Sequence, residues 1–384
     1  MISSQPIGIS RAKFARTFAI AAILVPTASL GGVAAQAGGS NVSVLASGLN
    51  NPRGLTFGPN GQLYVAEGGL GGTTMNTVGQ CLQAPPPVGP YTSSGNSASI
   101  SKIDPSTGAR TIVAGNLPSS QTSLALGGLV SGVADVAFVK GRLYALISGA
   151  GCSHGLAGTN NAIVRVNADG TTSQVANLSE FLMTHPVANP EPSVPPGDFE
   201  PDGTWYSMTN KGDALYALEP NHQELDRIER NGQISRVVDF SKTFRAPADW
   251  RGPTVITRFK GSFYVGTLMP VPIVPGSAQV FKVSPGGHFT LYAGGFTTIL
   301  GIAFDRDGRL YVLEMSNAPG EPTPGKGDIV RVDGSQRTTI ASGLIFPTGM
   351  TMGPDGNLYV SNFGFGGGPG MGQVLRVNLA SDDD

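Results

Sequence analysis

The phrase "RGLTFGPNGQLYVAEGG" at residues 53–69 returns almost unchanged as "TGMTMGPDGNLYVSNFG" at 348–364. Internal repetition narrows the possible folds more than any other single feature. Anchored on its tyrosine, the phrase recurs at Tyr64, Tyr144, Tyr216, Tyr264, Tyr311 and Tyr359. The spacings are 80, 72, 48, 47 and 48 residues, so the unit is 48 long and the first two intervals carry 80 − 48 = 32 and 72 − 48 = 24 extra residues.

Each unit reads as four short strands. "GLTF", "QLYVAE", "SISKID" and "ARTIVAG" alternate apolar residues at period two, with Gly, Pro, Asn or Asp at the breaks. Asn60-Gly61, Asp307-Gly308 and Asp355-Gly356 fall between the first and second strands, where a tight hairpin needs residues that accept positive φ. Four antiparallel strands, repeated six times, describe an all-β, six-bladed β-propeller. The sixth unit ends after "QVLRVN", three strands in, and its missing outer strand matches "VSVLASGL" at 42–49. That N-terminal strand is therefore expected to complete the last blade and close the ring, pairing an otherwise open edge. Residues 38–384 would then form one propeller domain with a short acidic tail at 381–384.

Arg11, Lys13 and Arg16 precede the apolar run 17–35, and Ala35-Gln36-Ala37 follows as a small-x-small pattern. Residues 1–37 read as a cleaved signal peptide, which makes the mature protein secreted. No later stretch is apolar for long enough to span a bilayer. Cleavage takes the formal charge from −1 to −1 − 3 = −4, which argues against nucleic acid as a partner. In an exported chain the two cysteines, Cys81 and Cys152, are expected to form a disulfide.

The phrases "GLNNPRGLTFGPNGQLYVAEGG" and "SGLIFPTGMTMGPDGNLYVSNFG" resemble the secreted ScyD/ScyE family, within the wider class of NHL-type propellers. The resemblance covers essentially the whole mature chain and implies the propeller fold, but no established catalytic mechanism. Where that family carries an Asn-Pro-Tyr-like start and an Asp-Ala-Gly-like loop in a middle blade, this chain has "GTWYSM" (203–208) and "LEPNHQEL" (218–225).

In such a ring the long loops after the second strands (68–98, 148–161, 268–278, 315–327 and 363–372) share one face, termed the top, where binding is expected. The residue three after each anchor tyrosine sits at that rim: Glu67, Ile147, Glu219, Thr267, Glu314 and Asn362. With 26 Asp and Glu in 384 residues, six positions would carry 6 × 26/384, or 0.4, by chance, whereas three are found. Glu67, Glu219, Glu314 and Asn362 could converge on Ca²⁺ or another hard cation, which takes oxygen ligands. A resemblance to six-bladed lactonases of the gluconolactonase kind, whose carboxylates and amides hold a divalent metal, points the same way. Equally, each carboxylate could be structural, accepting backbone N–H bonds from the turn that follows.

Arg53 precedes an inner strand and is a candidate to bind an anionic group at the central opening, or to pair with Glu67. His154 and His222 fall in top-face loops of neighbouring blades and resemble the acid/base histidines of propeller lyases, though loop histidines without a fixed spacing are as often bystanders. The chain shows no zinc pattern, nucleophile elbow or phosphate loop. The expectation is a monomeric binding or accessory module for a small molecule, an extracellular protein or a glycan. The alternative is a metal-dependent hydrolase, lyase or sugar dehydrogenase.

Overall fold

The computed structural model describes residues 39–72, 76–84, 89–122, 129–190, 200–245 and 249–379. The signal-peptide reading of 1–37 and the acidic tail lie outside them. Five four-stranded antiparallel sheets and one sheet with a short fifth strand follow one another as six blades. In the second strand of blade 1, Leu63–Glu67, alternate side chains go to opposite neighbours. Leu63 and Val65 enter the core shared with blade 6, and Ala66 and Tyr64 enter the core shared with blade 2. A strand buried on both faces must be apolar at successive positions. The phrase "LYVAE" is the local signature of that demand.

Six such cores lie between successive blades. The hairpins after the inner strands turn on glycine, with Gly61 at φ 74°, Gly308 at 95° and Gly356 at 80°. The residue before each glycine was expected to share the positive φ and does not. In blade 1 it serves the turn through its side chain, Asn60 Oδ1 accepting from Gln62 N–H at 3.2 Å.

The ring closes as the sequence predicts. Strand Val42–Leu49 pairs antiparallel with Gly372–Val377, whose other neighbour is Leu358–Asn362. Blades 6 and 1 are also joined by Thr348 Oγ1 donating to Pro52 O and Ser361 Oγ donating to Arg53 O, both at 2.6 Å. Farther round the ring Asp135 binds blade 2 to blade 3, accepting from Met208 N–H at 2.7 Å and Ser207 O–H at 3.1 Å. Gly54 of blade 1 is required beside it, because a Cβ there would lie 2.0 Å from Asp135 Oδ1. Burial pushes the Asp135 carboxyl up to about 7.

Candidate functional site

The first residues of the inner strands gather at the top of the axis, and every blade contributes to the pocket they form. Blade 1 gives Arg53, blade 2 Val133, blade 4 Gly252 and Thr254, and blades 5 and 6 Leu300 and Thr348. From blade 3 come Thr204, Trp205 and Tyr206. Top-face loops complete the wall with Tyr91, Ser148, Asn221 and Phe365, while Glu200 and Trp250 come from connections between blades. The cavity volume is about 110 Å³. Tyr206, Thr254, Leu300 and Thr348 also line a second cavity of about 210 Å³, bounded by the inner strands farther down the axis. These four residues are therefore the floor of one space and the ceiling of the next.

Both tryptophans of the chain line this pocket. Trp205 and Trp250 each stand two residues before an inner strand, Ser207–Lys211 and Gly252–Phe259. Among the described residues their indole N–H groups have no hydrogen-bond partner, nor have the hydroxyls of Thr122 and Thr204, which also line the pocket. The Glu200 carboxylate accepts from Tyr91 O–H at 2.9 Å and Asn221 Nδ2–H at 2.5 Å.

The wall carrying Tyr91 is fastened by the predicted disulfide. Cys81 and Cys152 are bonded at S–S 2.06 Å, joining the long loop of blade 1 to a short turn of blade 2. Ser94 Oγ donates to His154 O at 2.6 Å, and the His154 ring packs on Tyr91 with centroids 4.8 Å apart. His154 is fully buried behind this wall rather than in the pocket, and desolvation brings its pKa down to about 4. His222 is also buried, its backbone N–H donating to Glu219 Oε2 and its ring Nδ1 lying 3.3 Å from the same oxygen. Neither histidine lines the pocket.

Arg53 does line it, and the alternative pairing with Glu67 is not formed. Glu67 instead holds Arg110, with Nη2 2.6 Å from Oε1. The guanidinium of Arg53 donates to Val130 O. Burial lowers its pKa, opposed by the phenols of Tyr206 and Tyr91.

The four rim residues considered for a metal each act within their own blade. Glu67 accepts from Asn50 N–H at 2.7 Å, Glu314 from Thr297 N–H, and Asn362 Oδ1 from Ile345 N–H at 2.8 Å, in every case 17 residues back. Glu219 accepts from Thr204 N–H at 2.8 Å, 15 residues back. The donor is thus in the turn leading into the inner strand of the same blade. Only Glu219, through His222, also serves the turn that follows. Among the described residues no three His, Cys, Asp or Glu side chains are grouped to hold a metal ion. Through Thr204, Glu219 fixes the part of the pocket wall that continues into Trp205.

Of the residues singled out in the sequence, Cys81 and Cys152 form the expected disulfide and Arg53 lines the pocket, whereas Tyr91, Glu200, Trp205 and Trp250 line it without having been singled out. The shared offset of the two tryptophans from their inner strands was the available signal.

Fold and site together define a six-bladed propeller with an axial top-face pocket. No protein-family model matches the sequence, and no curated protein matches it. Solved structures resemble it in fold. An oxidoreductase from Thermus thermophilus, assigned as a glucose dehydrogenase, is 17% identical with a TM-score of 0.52, covering 87% of this chain and 98% of its own. A protein of unknown function from Bacteroides thetaiotaomicron is 11% identical with a TM-score of 0.51, covering 89% and 73%. A gluconolactonase from Xanthomonas campestris is 11% identical with a TM-score of 0.49, covering 88% and 89%. At such identities the likeness is one of fold alone.

Proposed function

We propose that this chain is an exported binding module of the ScyD/ScyE kind, and that the axial pocket takes a small molecule. The observation that carries this reading is the convergence of all six blades, and of both tryptophans, on one concave site. Concave sites walled by aromatic residues with a few converging polar groups are where propellers and other rigid scaffolds hold ligands. A disulfide tying a pocket wall in place suits an oxidising compartment. No helix among the described residues is long and apolar enough to cross a membrane.

Because the chain has no other tryptophan, its intrinsic emission reports on this pocket. A chemically diverse small-molecule set is expected to contain compounds that shift both the emission and the melting temperature. Trp250→Ala should abolish the melting shift. A set that moves neither quantity would overturn the proposal.

The rival is a metal-dependent enzyme built on Glu67, Glu219, Glu314 and Asn362. It requires Ca²⁺ or another divalent ion to raise the melting temperature, and Glu314→Gln to remove that rise. The commitment of these side chains to backbone N–H groups supports the structural role instead. Export itself is tested by N-terminal sequencing of protein recovered from the medium, with Gly38 expected as the first residue.

A further inference from the structure

The pocket is unbalanced in its hydrogen-bonding capacity. A guanidinium carries five N–H donors, and for Arg53 the described residues provide one acceptor, Val130 O. Among the described residues it has no carboxylate partner, since Glu67 is taken by Arg110. The indole N–H groups of Trp205 and Trp250 and the hydroxyls of Thr122 and Thr204 are also unspent. The one carboxylate that the described residues bring to the pocket, Glu200, already accepts on both oxygens, Oε1 from Tyr91 and Oε2 from Asn221. Donors are in surplus and the principal acceptor is occupied. Arg53 is half-buried, and a cation drawn partly out of water without a counter-charge costs free energy that an incoming anion would offset.

The remaining surface is aromatic. The cavity volume of about 110 Å³ is of the order of one ring, judged against the ~150 Å³ apolar cavity that holds benzene in another protein. Building on the pocket as the binding site, we infer that its ligand is a small organic carboxylate on a flat apolar group, with the carboxylate on Arg53. Bidentate guanidinium contacts select a planar carboxylate over a neutral amide of the same shape. The aromatic walls accept the ring to which it is attached.

Benzoate and its neutral isostere benzamide separate the two levels of the argument, read by tryptophan emission of the full mature chain. Benzoate is expected to bind about tenfold or more tightly than benzamide, the worth of one charge-assisted contact. Arg53→Met should remove that preference, benzoate falling to the level of benzamide in that variant, and Arg53→Lys should keep part of it. If benzamide binds as well as benzoate to the unaltered protein, the anion inference fails while the pocket reading stands. The anion inference fails equally if Arg53→Met leaves the preference intact. If neither probe changes the emission, the inference about the ligand fails, and the pocket reading is decided by the wider compound set.

Discussion

Blades 1 and 5 solve one structural problem in two electrostatic ways. In each, a glutamate at the end of the second strand reaches back to the backbone N–H of the turn entering the inner strand, Glu67 to Asn50 and Glu314 to Thr297. What faces the carboxylate from the rest of the blade differs. Glu67 meets the guanidinium of Arg110 and the hydroxyl of Ser101. Glu314 stands opposite Asp328 across the ladder, and burial together with that second carboxylate pushes it up to about 7. Burial raises Asp328 as well. Blade 6 does the same work without charge, through Asn362 with Gln373 beside it. The turn needs an acceptor at this rim and is indifferent to its charge, which the neighbouring strands decide.

The strongest way to break this contrast is Glu67→Ala. It leaves Arg110 without its carboxylate and Asn50 N–H without an acceptor, and should cost about 3–4 kcal/mol in denaturant unfolding. Next comes pH. The folded-state pKa of Glu314 is raised above the unfolded value of 4.5 to about 7, so the folded chain retains a proton that the unfolded chain has lost. This contribution to stability is therefore full below pH 4.5 and is lost as pH rises to about 7. Melts at pH 5 and pH 8 should differ through this group by about 1–3 kcal/mol. Glu314→Gln should remove this share of the difference and leave the share that Asp135 carries, and a slope unchanged in that variant would mean that Glu314 does not hold its proton in this range.

Asn362→Ala removes an acceptor but exposes no charge, and about 1–2 kcal/mol is expected from the orphaned N–H of Ile345. The smallest effect is that of Glu314→Gln at pH 5, within about 0.5 kcal/mol, because it replaces one neutral acceptor by another. Glu67→Gln under the same conditions should cost more. Equal losses from the two glutamine substitutions would erase the distinction between the blades.

The ring was legible in the sequence because each "LYV" strand is buried on both faces by its neighbours, so that one local phrase had to recur in every blade. Strand Val42–Leu49 was legible for the same reason, as an outer strand separated from its unit. The excess of rim carboxylates was visible too. Their hydrogen-bond partners were not, since a donor 17 residues back lies across a hairpin and no periodicity marks it. Loop residues resisted for a related reason. His154 and His222 carry the right chemistry in the right loops, but whether a side chain faces a cavity or packs behind its wall depends on the loop's path. Tyr91 and Glu200 come from the inserted lengths, where the repeat gives no register.

The closing of the ring by its first strand also orders events in time. Strand Val42–Leu49 leaves the ribosome before any other strand described here, yet its partner Gly372–Val377 is among the last. The hydrogen bond from Asn41 to Asn378 spans 337 residues. Contacts so distant in sequence form slowly, and until they do blade 6 presents an open strand edge to other chains. The same strand that secures the finished ring thus leaves the newly made chain exposed to misassembly until its end has been synthesised.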